Sequence, residues 1–308
     1  MRITNTDTPV RQKPFPGPAL TSFTFGCMSL GNDPGEMRNH IRLARTAMET
    51  GVWFHASQEY AGGGAFMILH HAYCENRKQI PRMILKIRCD NADVLKFDVE
   101  DALRRLTIDQ VSIAQLCRAK HDRRPVVDDF LNHGEMWQVC QDLQKQGKVG
   151  QFVMEIFASF SPDAVRAVQS NLFPGYIFYF SPGERQTSTE LFELLENRNE
   201  NILSLRTMCG GILDPLRIQT IREKKPEDRT ILKFEALQPI FEQSECASWA
   251  EFSFSFLKSF PNLLTSIAGT SKEAHFRELL AGDRKAKPMA PALVKQIKNL
   301  HHEWSLLA

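Results

Sequence analysis

Three polar residues end successive apolar runs of the chain at equal intervals: His55 in VWFH, Lys86 in MILK and Cys117 in VSIAQLC. A phenol, Tyr60, follows the first of these runs. Imidazole, ammonium, thiol and phenol groups transfer protons or attack electrophiles in many enzymes. The residue types therefore predict proton-transfer or thiol chemistry, provided that the fold brings the ends of these runs together.

Short apolar runs alternate with helical patterns along the chain, and this alternation predicts how the polar residues meet. Eight runs are predicted as strands: SFTFGCMSL, VWFHA, RMILKI, VSIAQL, QFVMEIF, GYIFYF, ILSLRTM and LLTSIAG. Helices are predicted at 36–50, 65–76, 94–106, 134–146, from 161, at 188–197, at 234–258, and after the last strand. Continuous apolar strands separated by helices predict an α/β fold, a parallel sheet closed into a (β/α)8 TIM barrel. In such a barrel the carboxyl ends of the strands surround one site.

The sequence divides into a short arm and one domain. Residues 1–19 are rich in proline and polar residues, and we interpret them as an extended arm that crosses the bottom of the barrel. Residues 20–308 are predicted to form a single barrel domain, because α/β barrels of this length are usually one domain. The basic segment 217–229 is interpreted as a solvated loop, since acidic residues are interleaved with its basic ones.

Composition argues against several classes of function. The 38 basic and 36 acidic residues are interspersed and leave a net charge of +2, which favours neither nucleic acid nor a membrane surface as a partner. No apolar run approaches the roughly 20 residues of a transmembrane helix, and the first residues lack the apolar core of a signal peptide. Seven cysteines without a CxxC pair favour neither a disulfide framework nor structural zinc. We expect a cytoplasmic protein with small-molecule partners and no metal.

Five motifs, spread over nearly the whole chain after the arm, resemble the aldo-keto reductase family. They are FGCMSLG, DQVSIAQLC, LQKQGKVGQF, MCGGIL and SIAGTSKEAHFRELLAG. The resemblance implies the (β/α)8 barrel of that family, NADPH as the cofactor, and reduction of aldehydes or ketones. It also implies a cofactor-binding segment, in which backbone amides at a helix start and a lysine are suited to a phosphate. The residues of this segment are Gly269, Thr270, Ser271 and Lys272.

In that family an Asp, a Tyr, a Lys and a His carry out carbonyl reduction. Tyr60 and Lys86 match the Tyr and the Lys, whereas His55 stands at the Asp position and Cys117 at the His position. The resemblance implies that the Tyr hydroxyl protonates the carbonyl oxygen and that the Lys shifts the titration of this phenol. A thiol is a weak hydrogen-bond donor, so Cys117 is a poor substitute for a histidine that holds the carbonyl oxygen.

The histidine at position 55 removes the carboxylate that would face Lys86. A buried ammonium without a counter-ion has a lowered pKa, so we expect the pKa of Lys86 to fall unless Glu155 or Glu59 replaces that carboxylate. The cofactor side of the site also departs from the family's pattern. The departures stand at positions that contact the nicotinamide or the adenine: Glu155, Ile156, Phe178, Ser181 and Leu279.

The sequence leaves three functions open. The first is a degenerate reductase, or pseudoenzyme, whose carbonyl reduction is lost or strongly reduced and which has a ligand-binding or regulatory role. The second is an active NADPH-dependent oxidoreductase in which Tyr60 donates the proton and Lys86 tunes it. The third is thiol chemistry at Cys117, with His55 or Lys86 stabilising a thiolate.

Two further assignments depend on loops and on distant strands. His121 replaces the missing histidine only if its loop folds back, and a surface position in KHDRR explains it more simply. A metal centre at the strand ends lacks the local ligand spacing of known sites. Its ligands would be Cys27, His55, Cys117, Glu155 and Cys209.

Overall fold

A computed structural model describes residues 13–117, 124–156 and 161–306. The strands are β1 (Phe23–Gly26), β2 (Trp53–Ser57), β3 (Met83–Arg88), β4 (Val111–Cys117), β5 (Val149–Glu155), β6 (Tyr176–Ser181), β7 (Glu184–Arg185), β8 (Ile202–Leu205) and β9 (Leu263–Gly269). The helices are α1 (Met37–Glu49), α2 (Gly64–Glu75), α3 (Ala92–Leu106), α4 (Arg124–Leu131), α5 (Glu135–Lys145), α6 (Ser161–Ser170), α7 (Thr189–Asn197), α8 (Pro215–Lys224), α9 (Arg229–Gln243), α10 (Trp249–Lys258), α11 (Glu273–Lys285) and α12 (Pro291–Leu306).

Eight of these strands pair in parallel and close on themselves. The order β5-β4-β3-β2-β1-β9-β8-β6 is completed by pairing of β5 with β6, so the sheet is a barrel. The closing pair is short, with Met154 opposite Tyr176 and Glu155 opposite Ile177. The two-residue strand β7 pairs antiparallel with β6 and lies outside the parallel set. The predicted (β/α)8 TIM barrel is confirmed.

Alternate residues of each strand face the barrel interior or the surrounding helices. The interior holds an aliphatic layer with one tryptophan, and each member lies on one of the parallel strands. Its buried residues are Trp53, Ile84, Ile113, Val153, Ile177, Leu203, Leu205 and Ile267. Phe15 and Leu20 pack against this layer from the segment before β1. A second, larger core fills the space between the sheet and the helices.

The segment before β1 is also held by charge. The Lys13 ammonium lies 2.8 Å from the carboxylate of Glu200, which is fully buried. Arg198 pairs with the same carboxylate at 3.2 Å. Because a buried carboxylate is costly without cationic partners, this cluster fixes the segment against the residues that lead into β8.

Several helices begin where a side chain caps free backbone amides. Asn91 caps α3 by accepting from Val94, and Ser188 caps α7 by accepting from Leu191, as the predicted starts near these positions require. The predicted helix 234–258 is wrong in one respect. Residues 244–248 interrupt it, because α9 ends at Gln243 with Ser244 as its C-cap, and Ser248 caps a new helix, α10.

The interpretation of 217–229 as a loop is wrong. Most of this segment belongs to α8, which begins with Asp214 as its cap and Pro215 in its first turn. A capping Asp followed by Pro is a strong helix start, and it outweighs the mixed charge of the segment. The chain also carries two helices after β9 rather than one, α11 and α12. Within the described ranges, no helix combines the length and the hydropathy needed to cross a bilayer.

Candidate active site

A polar layer lies inside the barrel, one step nearer the carboxyl ends of the strands than the aliphatic layer. The residue two positions after an interior-facing residue faces the interior again. After Trp53, Ile84, Ile113, Val153 and Ile177, this rule places inside the barrel His55, Lys86, Gln115, Glu155 and Tyr179. The strand register supports this assignment, because paired residues on neighbouring strands face the same side of the sheet. Lys86 pairs with Gln115, and Gln115 pairs with Val153. Four neighbouring strands, β2 to β5, thus bring four polar groups together.

Hydrogen bonds connect these groups into a chain. His55 Nε2 lies 2.7 Å from Gln115 Oε1, and the Gln115 amide donates to Glu155 Oε2. Lys86 Nζ lies 3.4 Å from the same Glu155 oxygen. Since an amide oxygen only accepts, the His55 Nε2 must carry a hydrogen. The chain therefore fixes the tautomer of the imidazole and directs the carboxylate toward the ammonium.

Glu155 replaces the carboxylate that position 55 lacks. Its side chain is buried, whereas that of Lys86 is one quarter exposed. Burial is the largest single effect on the pKa of Lys86 and lowers it, but the charge and hydrogen bond of Glu155, together with Cys117 and Tyr179, outweigh it, and the pKa is raised above its usual value. Glu59, the other candidate, lies 4.0 Å from Arg88 instead. The alternative in which the Lys86 pKa falls does not hold, because an acid from β5 takes the counter-ion position.

The imidazole of His55 is neutral at physiological pH. Burial lowers its pKa to about 4, the hydrogen bond with Gln115 partly offsets this effect, and the charge of Lys86 adds to it. A neutral imidazole with one hydrogen on Nε2 cannot act as the anionic partner of Lys86. His55 is therefore a hydrogen-bonding member of the layer, and Gln115 links it to the carboxylate.

Tyr60 lies just beyond the end of β2, in a turn of unusual backbone geometry. Ala61, Gly62 and Gly63, which follow it, all have positive φ angles. The centre of the Tyr60 ring lies 6.1 Å from that of His55. Burial, and then the charge of Glu155, raises the pKa of the Tyr60 hydroxyl far above its usual value. The phenol thus lies beside the polar layer in an environment that disfavours loss of its proton.

Of three buried thiols near the mouth, Cys117 and Cys27 donate to backbone carbonyls, and Cys209 donates to the Glu184 carboxylate. Cys117 is buried, and its Sγ donates to the carbonyl oxygen of Ile87 at 3.0 Å. Cys27 is also buried, and burial raises the pKa of its thiol. Burial and the charge of Glu184 raise the pKa of Cys209 to about 12. Cys27 and Cys209 are therefore held as thiols, which are poor nucleophiles.

Gln115 and Tyr179 also lie at the mouth of the barrel. The sequence did not indicate Gln115, and it offered Tyr179 only within the aromatic run Phe178 to Phe180, as a ligand platform or, in the favoured interpretation, as packing. Tyr179 shares its strand face with interior residues, whereas its neighbours Phe178 and Phe180 pack in the outer core. The guanidinium of Arg206 lies over the Tyr179 ring, 4.9 Å from its centre. Arg206 is in turn held by Glu184 at 3.1 Å. Strand parity could have found Gln115 and Tyr179, because each stands two positions from another interior residue.

Among the other residues assigned from the sequence, Ile156 and Leu279 are buried in the outer core. The segment 118–123, with His121, lies outside the described residues. In the part of the chain that the structure describes, no three His, Cys, Asp or Glu side chains gather as metal ligands.

The segment from Gly269 to Lys272 joins the end of β9 to the start of α11. Lys272 is exposed and occupies the cap position of α11, and its backbone amide donates to the Thr270 hydroxyl at 3.1 Å. Gly269 lies opposite Gly26 in the neighbouring strand β1. The two backbones approach so closely that a Cβ at 269 would overlap the Gly26 carbonyl.

We expect the Gly269→Ala substitution to lower the free energy of unfolding by about 1 to 3 kcal/mol, since the overlap is with backbone that cannot rotate away. Urea unfolding followed by circular dichroism measures the loss. Gly35→Ala is the control, because the nearest neighbour there is a side chain on the exposed turn before α1. Equal stability of the two variants would contradict the close approach of β1 and β9.

The chain resembles known proteins in its structure but not detectably in its sequence. No protein-family model matches the sequence, and no curated protein sequence matches it. An aldo-keto reductase from Klebsiella pneumoniae in complex with NADPH superposes with a TM-score of 0.69 and 14% identity, over 95% of this chain and 96% of that chain. The holo form of an aldo-keto reductase from Bacillus halodurans superposes with a TM-score of 0.70 and 17% identity, over 94% and 99% of the two chains.

The fold is that of the aldo-keto reductases. A thermostable aldo-keto reductase in complex with the inhibitor epalrestat agrees, with a TM-score of 0.68 and 15% identity over 91% of this chain and 95% of that chain. The matches cover nearly the full length of both partners. The aldo-keto reductase fold therefore accounts for the whole barrel, and the chemistry has to be argued from the residues at its mouth.

Proposed function

We propose that this chain is a ligand-binding barrel of the aldo-keto reductase fold in which carbonyl reduction is lost or strongly reduced. The observation that carries the proposal is the pairing of Lys86 with Glu155. This pairing balances the lysine's positive charge with a carboxylate supplied from β5. Burial raises the pKa of Tyr60, and the charge of the same carboxylate raises it further.

A phenol that donates a proton at neutral pH needs a pKa brought down toward that pH. Burial and a nearby anion both act in the opposite direction at Tyr60. The side chain of Cys117 is committed to a backbone carbonyl and supplies no strong donor for a carbonyl oxygen. The proton donor and the electrostatic stabilisation that the reaction requires are therefore both weak at this mouth.

The residues at the mouth do not fit a nicotinamide ring. Tyr179 is the aromatic side chain of β6 that faces the interior, and Arg206 covers its ring. Ile156 and Phe178 are directed into the outer core.

The segment with Thr270 and Lys272 is better suited to a ligand, because an exposed lysine stands at the start of α11. We propose a small molecule with an anionic group as the ligand.

An active NADPH-dependent oxidoreductase, with Tyr60 as proton donor and Lys86 tuning it, is the second candidate. It is supported by the likeness to a reductase in complex with NADPH over 95% of this chain. In this candidate Gly269, Thr270, Ser271 and Lys272 would hold the cofactor phosphate. The two candidates differ in one measurable respect, namely whether the Tyr60 hydroxyl is needed for turnover.

Hydride transfer decides between them. Purified protein is mixed with NADPH and a panel of aldehydes and ketones, and the loss of absorbance at the nicotinamide band is followed. We expect the rate to equal that of the protein-free blank and to be the same in Tyr60→Phe. Turnover that Tyr60→Phe abolishes, and that Tyr73→Phe in α2 leaves intact, would overturn the pseudoenzyme proposal.

We also propose a cytoplasmic location and a division into an arm, 1–19, and a barrel, 20–308. All seven cysteines lie in the described ranges and none forms a disulfide, which suits a reducing compartment. Limited proteolysis tests the division, since cleavage before residue 20 should leave the barrel intact.

A further inference from the structure

The exposed face of α2 carries a histidine and a cysteine one helical turn apart. All seven cysteines lie within the described residues. Cys74 is exposed to solvent, Cys246 is partly buried and the other five are buried. His70 precedes Cys74 by four residues, a spacing that places both side chains on the same helix face. His70 Nε2 lies 3.5 Å from Cys74 Sγ.

This separation is that of two ligands on one tetrahedral metal ion. Bonds of about 2.3 Å from zinc to sulfur and about 2.05 Å from zinc to nitrogen place the two atoms about 3.6 Å apart at a tetrahedral angle. The pair therefore requires almost no rearrangement to chelate an ion. Thiolate and imidazole are also the protein ligands that zinc-like ions prefer.

The other nitrogen of His70 has a partner that orients the ring. His70 Nδ1 lies 3.3 Å from the hydroxyl of Thr107. Thr107 ends α3 with a φ of 55°, and its carbonyl accepts from Arg77 at 3.0 Å, so the hydroxyl is held by fixed backbone. When Nδ1 donates to this hydroxyl, Nε2 presents its lone pair toward Cys74. Metal-binding histidines are typically supported in this way.

We propose that His70 and Cys74 form an exposed two-ligand site for a zinc-class divalent ion, with water completing its coordination. On binding, the Cys74 thiol gives its proton to solvent and the sulfur bonds to the ion, so one proton is released for each ion taken up. The described residues supply two protein ligands to this site, and we therefore expect binding to be exchangeable rather than structural. The site is separate from the mouth of the barrel.

Arg77, a neighbouring cation, disfavours ion binding at this site. Its removal should therefore strengthen binding, whereas removal of either ligand should weaken it. The Arg77 guanidinium lies 3.8 Å from Cys74 Sγ, where its positive charge repels a cation. Arg77→Ala should therefore tighten ion binding. If Arg77 instead served to stabilise the Cys74 thiolate, its loss would weaken ion binding, and this result would overturn the proposed repulsion.

Cadmium is the probe, because its bond to sulfur gives an ultraviolet charge-transfer band. We expect one Cd²⁺ per chain, loss of the band in Cys74→Ser, affinity weakened more than about tenfold in His70→Gln, and tighter binding in Arg77→Ala. Cys246→Ser is the matched control, since its sulfur contacts a serine hydroxyl at 3.8 Å, and it should bind like the parent. All four substitutions lie on the surface or in its outer layer, and circular dichroism checks their folding. Unchanged affinity in Cys74→Ser or in His70→Gln overturns the proposal.

Discussion

The Glu155→Gln variant should lose about 3 to 5 kcal/mol of its free energy of unfolding at pH 7, the usual cost of removing one partner of a buried ion pair. The substitution keeps the shape of the side chain and its contact with Gln115, but it leaves the largely buried Lys86 ammonium without a counter-ion. Denaturant unfolding of the parent and the variant, followed by tryptophan fluorescence, measures this difference.

The pH dependence of the two proteins should have opposite signs. In the parent, the pKa of Lys86 is raised, so its stabilising contribution is complete below the unfolded-state pKa and is lost as pH rises through the folded value. In the variant, both raising effects of Glu155 are gone, so we expect burial, the largest remaining effect, to lower this pKa. The unfolded state then binds more protons, and stability rises with pH. Unfolding at pH 7 and pH 9.5 tests the difference: Lys86 should leave the parent unchanged in this range, which lies below its unfolded-state pKa of about 10.4, whereas the variant should gain stability.

Glu59→Gln is the matched control for this pair. Glu59 is more than half exposed and lies 4.0 Å from Arg88, so its removal should change stability by no more than about 0.5 kcal/mol. If Glu59→Gln lost as much stability as Glu155→Gln, the assignment of Glu155 as the counter-ion of Lys86 would be wrong.

We expect acid to destabilise the protein between pH 6.5 and pH 4. Burial lowers the pKa of His55 to about 4 and that of His301 to about 3. Both folded pKa values lie below the unfolded value of about 6.5, so the unfolded state binds more protons and stability is lost as pH falls. Each histidine should remove on the order of 3 kcal/mol by pH 4. Together these losses approach the whole stability of many domains.

His301 allows this effect to be isolated. Its Nε2 lies 2.9 Å from the Ser181 carbonyl oxygen and 3.0 Å from that of Pro182, which fixes α12 against the turn after β6. His301→Gln keeps a donor for these carbonyls and cannot be protonated in this range. The variant should therefore unfold at lower pH than the parent in an acid titration followed by circular dichroism. His275→Gln, at an exposed position, should leave the acid midpoint unchanged.

The barrel could be predicted from the sequence because its strands are continuous apolar runs. LLTSIAG matches β9 residue for residue, and GYIFYF differs from β6 by one residue at each end. The strand β7 could not be predicted, since two residues carry no periodicity. The start of α8 was readable in Asp214 and Pro215, but the charge of the segment was given more weight than its cap.

The candidate site was predictable in its types of residue and less so in its connections. Glu155 could be named as a replacement acid, because it ends a strand, although sequence alone could not choose it over Glu59. Gln115 is not conspicuous in the sequence, because it stands within an apolar run. Its place at the site follows only from strand parity, which puts it on the same face as Cys117. Cysteine spacing alone does not indicate the pair of His70 and Cys74, because the partner of Cys74 is a histidine.

Pairing of β1 with β9 has a consequence for how the protein is made. Thr24 and Thr265, whose hydroxyls meet at 2.7 Å inside the barrel, are 241 residues apart in the chain. At the usual 5 to 20 residues per second, roughly 10 to 50 seconds pass between synthesis of the first strand and synthesis of its partner. Until then β1 presents an unpaired edge on the growing sheet. The barrel therefore cannot close until nearly the whole chain has been synthesised.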